Sequence, residues 1–174
     1  MKLHHLLFLA LPLHGLSAPA AVIAQDSPRE DRIWVALGWG GGLFGDTEDR
    51  VSVFELAWQR GSYLLALRGV SANRGISDWT HDAAILFGRA STGKRGHASI
   101  AAGPAFVDVH YPSQLLADGN SVSTWDHVIG IAVAVEGSFA PSRFLGVGVQ
   151  GFGNLNEARS FIGVALVLKV GSLN

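Results

Sequence analysis

The sequence predicts an all-β fold, an eight-stranded antiparallel up-and-down transmembrane β-barrel. Three observations lead there. After residue 30, alternating apolar segments are joined in turn by a longer polar connection and a tight one. Within the segments, large apolar residues share one parity while Gly, Ala and a few ionisable groups share the other. Aromatic residues gather toward the two ends of the segments. A closed sheet pairs its backbone amides and carbonyls internally, which a bilayer demands, and its outer face must be apolar.

The chain of 174 residues begins with Lys2, His4 and His5, followed by a short apolar core from Leu6 to Leu13. Ala18-Pro19-Ala20 and Val22-Ile23-Ala24 both resemble signal peptidase sites. The run is too short to span a bilayer, and Pro12 and Gly15 interrupt it, so residues 1–24 read as a cleaved signal peptide with cleavage after Ala20 or Ala24. Residues 25–174 then form one barrel domain, with Gln25 to Glu30 as a polar lead-in. Cysteine is absent and the net charge is −1, which excludes a disulfide framework, thiol chemistry and a nucleic-acid partner.

Period-2 alternation places strands at about 31–38, 50–60, 62–71, 79–90, 96–109, 125–139, 143–153 and 158–170. Loops at 39–49, 72–78, 110–124 and 154–157 fall at one end, Pro112 to Thr124 being the longest polar stretch. Turns at Gly61, Ser91 to Arg95 and Ala140 to Ser142 fall at the other. In an exported barrel the turns would face the periplasm and the loops the medium. Pro104, unable to donate to the ladder, suggests a bulge or local bend in the fifth strand.

The outward parity carries Ile33, Val35 and Leu37 in the first strand, Ile129 to Val135 in the sixth and Ile162 to Leu168 in the eighth. The inward parity carries Glu55, Arg68, Asp82, Glu136 and Lys169 among small residues. A soluble carrier would reverse this, with large apolar groups inside and many charges outside. The five inward charges read as a structural network, because an eight-stranded lumen is filled by side chains and buried charges there need partners. Trp79, Tyr111 and Trp125 lie beside the long loops, and Trp58, Tyr63, Phe87 and Phe139 near the turns, as interfacial girdles. Arg89, Lys94, Arg95 and Arg143 flank the turns, within reach of lipid phosphates.

Two constellations could carry chemistry. His81, His110 and His127 fall on neighbouring strands near one rim, with Asp126 close in sequence, and imidazole with carboxylate suits zinc or copper. No His-x-His spacing supports it, so no metal or other cofactor is expected. Gly38 and Gly40 to Gly42 are followed by no helix and do not form a phosphate-binding loop.

With this pattern the chain resembles the small bacterial outer-membrane β-barrels, the class of the OmpA transmembrane domain and OmpX. The resemblance is architectural and covers residues 25–174. The last strand, with Gly163 followed by Leu166 and Leu168, is similar to the assembly signal of that class, but the chain ends Gly171-Ser172-Leu173-Asn174 where an aromatic residue is common. It implies an outer-membrane location, contact with outer-membrane lipids and lipopolysaccharide, and passage through the barrel-assembly machinery. Lipid A deacylases are also eight-stranded and use a His-x-Ser pair with a Glu on the outer wall. His97-Ala98-Ser99 and Glu136 are similar to that set, but His97 lies beside a turn, Ser99 and Glu136 have inward parity, and the usual flanking residues are missing. The expectation is a non-enzymatic, structural or loop-presenting barrel, with a lipid-modifying enzyme or a narrow channel as alternatives.

Overall fold

The computed structural model describes residues 31–73, 78–115 and 121–173. The signal peptide expected at 1–24, the lead-in at 25–30 and parts of the loops expected at 72–78 and 110–124 lie outside them. Eight strands follow in chain order: β1 Asp31–Phe44, β2 Thr47–Arg60, β3 Tyr63–Asn73, β4 Trp79–Thr92, β5 Gly96–Leu115, β6 Ser121–Phe139, β7 Leu145–Leu155 and β8 Phe161–Gly171. Each pairs antiparallel with its sequence neighbours, and β8 closes onto β1. The structure is thus the closed antiparallel barrel that the alternation predicts.

The register fixes the tilt. Stepping across directly opposed residues from Ile33 leads through Trp58, Leu65, Phe87, Ala102, Val133, Gly153 and Ile162 back to β1 at Leu43. The path returns ten residues further along the strand than it began. Such a stagger requires tilted strands, and a row of opposed residues climbs as it runs from β1 to β8. About ten residues of each strand then cross the apolar layer, as a bilayer requires.

Two boundaries differ from the sequence reading. The segment 39–49 is no loop: β1 continues to Phe44, β2 starts at Thr47, and only Gly45 and Asp46 join them. Gly45 has φ 61°, which suits a two-residue hairpin turn of the primed class. The glycines of β1 look loop-like in sequence but serve close strand packing, since a Cβ at Gly40 would collide with the Val164 carbonyl and one at Gly42 with that of Ile162. Of the stretch 110–124, residues 110–115 continue β5 and 121–124 begin β6, with a register shift between Tyr111 and Gln114. At Pro104 there is no register shift, since pairing with β6 is continuous, but Pro104 and Gly103 interrupt the ladder to β4. Pairing with β4 lapses opposite Ile85 and Leu86 and resumes unshifted.

The two faces differ in chemistry. Ile129 and Leu166 are 79% and 70% exposed on the outer wall, whereas Leu86 and Val107 are wholly buried inside. The lumen is filled in three layers. Nearest the terminal end, where Asp31 and Leu173 lie, are Trp34, Leu64, Leu86 and Leu173 with a set of alanines. At the far end Phe44 stacks on Phe161 with ring centroids 4.6 Å apart, and Phe152 packs edge-on against Phe161. Polar and charged side chains occupy the middle. Beyond Gly171, whose φ of 153° few L residues adopt, Ser172 is exposed and Leu173 turns inward. Ser172 N donates to the Ile33 carbonyl at 2.8 Å and Leu173 N to that of Arg143 at 2.9 Å, which seats Leu173 in the terminal mouth.

Candidate functional site: the charged lumen and the polar rim of the outer wall

All five inward charges are buried in the lumen. Arg68 and Asp82 pair through Nη2 and Oδ1 at 3.2 Å. Arg68 Nη1 also donates to the Val133 carbonyl at 2.7 Å, and the guanidinium carbon lies 5.9 Å from the Phe152 ring centroid. The second oxygen of Asp82 accepts from Asn154 Nδ2 at 2.5 Å. Nearer the terminal end, Lys169 Nζ donates to Glu136 Oε1 at 2.5 Å and stands 4.2 Å from the Trp34 ring centroid. His97 Nδ1 is 3.5 Å from both Lys169 Nζ and Glu136 Oε1.

Glu55 departs from simple pairing. It opposes Arg68 in the register, yet it accepts from Gln150 Nε2 at 2.7 Å while Arg68 turns to Asp82. Gln150 and Asn154 therefore belong to the network, and the sequence reading missed both. Their signal was available: on β7 each has inward parity, and a buried amide in a charged lumen supplies the donors that carboxylates need. The network is mostly satisfied from within, which suits a rigid filling. A void beside Trp34, His97 and Lys169 measures about 10 Å³, at the lower limit for one water.

The far mouth is covered by Arg159. The Asn156 side chain accepts from the backbone N–H groups of Ala158 and Arg159, which fixes the β7–β8 connection. Arg159 Nη1 then bonds Asp78 Oδ1 at 2.7 Å, and its guanidinium carbon lies 5.1 Å from the Tyr111 ring centroid. Tyr111 is thus no girdle residue, because its odd position on β5 turns it toward the mouth. Trp58, Tyr63, Phe87 and Phe139 are exposed on the outer wall toward the terminal end, and Trp79 and Trp125 toward the far end.

The histidines divide by parity. His97 faces the lumen, while His81, His110 and His127 face outward. The residue that joins them is Asp108, which opposes both His81 and His127 and bonds His127 Nδ1. Asp126 opposes buried Val109 and has the other parity. Among the described residues, no three His, Cys, Asp or Glu groups are close enough to hold a metal ion. His97, Ser99 and Glu136 do meet, with Ser99 opposite Glu136, but they meet inside the barrel where no bilayer lipid reaches them.

One further arrangement emerges only from the register. Ser52, Ser71, His81, Asp108 and His127 form a continuous row of opposed polar residues across the outer wall from β2 to β6. The adjoining row toward the membrane centre is Leu37, Phe54, Gly69, Ala83, Phe106 and Ile129, all apolar or small. The row on the other side is Arg50, Asn73, Trp79, His110 and Trp125. The wall therefore changes from hydrocarbon-like to polar over three successive rows.

An apolar wall, a closed sheet and a filled lumen define a small transmembrane β-barrel. Solved structures agree on that fold. The chain is similar to Ail, the attachment invasion locus protein of Yersinia pestis, with 8% identity and a TM-score of 0.59 over 82% of this chain and 97% of that one. It is similar to Neisserial surface protein A, with 8% identity and a TM-score of 0.60 over 80% and 96%. It is also similar to the N-terminal β-barrel domain of Pseudomonas aeruginosa OprF, with 8% identity and a TM-score of 0.57 over 82% and 99%. No protein-family model and no curated protein matches the sequence. At these identities the likeness concerns the fold.

Proposed function

We propose that this protein is a small integral protein of a bacterial outer membrane, non-catalytic, which reinforces the envelope and presents the outer ends of its strands and the loops between them. The observation that carries the reading is a charged, internally paired lumen closed by apolar layers at both ends behind an apolar wall. The terminal end would face the periplasm and the far end the medium, following the topology of exported barrels. Residues 1–24 would serve as the cleaved export signal, and the barrel-assembly machinery would insert the chain. β5 and β6 are the longest strands, so their paired outer ends are the elements best placed to meet a partner. The names of two structural neighbours, an attachment protein and a surface protein, favour such a presenting role.

Planar-bilayer recording of the folded protein tests this. The filled lumen should give a silent membrane. Unitary steps that change on Glu136→Gln would replace the structural reading with a channel.

A further inference from the structure

We infer that the lumen binds a monatomic anion of the halide class, chloride in a saline medium, at its terminal end between Arg32, Trp34, His97 and Lys169. The site lies inside the barrel and does not depend on which solvent meets the outer wall. Its first mark is a set of unused donors. Trp34 Nε1, His97 Nε2 and Arg32 Nε are buried and, among the described residues, make no hydrogen bond. All three side chains line the same void of about 10 Å³, with Lys169 beside them. Trp34 is 2% exposed, so its N–H meets no bulk water. An orphaned buried donor is costly, and three in the wall of one void point to an acceptor seated among them.

The His97 tautomer follows from its neighbour. Lys169 Nζ, 3.5 Å from Nδ1, can only donate, so an accepting Nδ1 puts the ring proton on Nε2. The imidazole N–H then joins the indole and guanidinium N–H groups. Trp34 and His97 pack edge to face with ring centroids 5.1 Å apart, and the Lys169 ammonium stands 4.2 Å from the Trp34 ring centroid. The donors are therefore held in place by packing, ahead of any ion.

Charge makes the acceptor an anion. Two cations line the void, Arg32 and Lys169, and no carboxylate does. Glu136 bonds Lys169 at 2.5 Å and balances one of them. Arg32 makes no ion pair among the described residues, which leaves one positive charge beside a low-dielectric wall. Water suits the void less well. Its own hydrogens need acceptors, yet the Gln59 amide is engaged with Gly61 and Thr92, and Glu136 Oε1 with Lys169. An ion that only accepts has no such need, and the Ser138 hydroxyl in the same wall can turn its proton toward it. Size restricts the anion further. A void at the lower limit for one water excludes sulfate, phosphate and carboxylates. Chloride is little larger than water, and the flexible end of Leu173 closes the void.

The test uses the refolded barrel, each variant checked first for the gel mobility difference between unheated and boiled samples. Crystals grown in sodium bromide are read at the bromine edge. Urea unfolding in vesicles is titrated with sodium chloride against sodium gluconate at constant ionic strength. Wild type should show an anomalous peak among Trp34 Nε1, His97 Nε2 and Arg32 Nε. Its unfolding constant should fall about tenfold once chloride is about ten times its dissociation constant. Trp34→Phe keeps a ring over Lys169 and removes the N–H, while Arg32→Gln removes the charge. Each should weaken chloride binding at least tenfold, and Arg32→Gln should lose the bromide peak. No peak in the wild-type void, or the same chloride dependence in wild type and the folded variants, overturns the site. A peak that persists in folded Arg32→Gln crystals also overturns it, since the charge then does not hold the ion. If Arg32→Gln lacks the mobility difference, Trp34→Phe decides alone.

Discussion

Replacing Lys169 by Met strips from Glu136 the ammonium that bonds it at 2.5 Å. The two side chains are 1% and 2% exposed, so water neither screens the pair nor rescues the carboxylate left behind. The nearest remaining donor is His97 at 3.5 Å, and Trp34 loses the ammonium over its ring. Breaking a buried pair by removing one partner costs about 3–5 kcal/mol, while exchanging both for neutral groups of similar volume is often close to neutral. The expected loss for Lys169→Met is therefore about 3–5 kcal/mol, and the double variant Lys169→Met/Glu136→Gln should recover to within about 1–2 kcal/mol of wild type. Urea unfolding in phospholipid vesicles, followed by tryptophan fluorescence and gel mobility, measures both. A single-variant loss below about 1 kcal/mol, or a double variant no better than the single, would refute the claim that this pair is buried and mutually dependent.

Three other outcomes follow from the same structure. Leu166→Arg places a charge near mid-height on the lipid face and should cost about 2–4 kcal/mol in vesicles, whereas Ile33→Arg at the terminal rim should cost about 0–1; equal costs would contradict the tilt and height assigned from the register. Leu173→Ala empties a seat in the apolar layer that holds Trp34 and should lower stability by about 2–5 kcal/mol in the same titration, while a negligible change would mean that Leu173 does not fill the mouth. His97→Ala and Ser99→Ala should leave lipid A acylation in the host membrane unaltered, checked by mass spectrometry of extracted lipid A.

The faces of the strands were legible because period-2 alternation is a direct readout of two different solvents. Ile129 to Val135 and Glu136 fall where their parity says. Strand ends were less legible where the barrel leaves the bilayer. There both faces of a strand meet polar surroundings, the alternation fades, and Thr47 to Arg50 resemble a loop. The glycines of β1 misled for a separate reason: Gly40 and Gly42 are demanded by neighbouring carbonyls and not by a turn. Membership of the lumen could be read for the charges but not the pairing. Arg68 opposes Glu55 and nonetheless joins Asp82, because Gln150 satisfies Glu55 from across the lumen. The row Ser52, Ser71, His81, Asp108 and His127 has no sequence signature at all. It spans four connections of different lengths and appears only once the register is known.

The central claim is that the large apolar face points outward into lipid around a filled lumen. Gel mobility of the unheated and boiled protein, recovered from fractionated membranes after an alkaline wash, tests it most directly. The structure predicts a wash-resistant membrane protein whose unheated form runs as a compact band and shifts on boiling. A protein released into the soluble fraction, with the same mobility before and after boiling, would contradict it and require the apolar face to point inward.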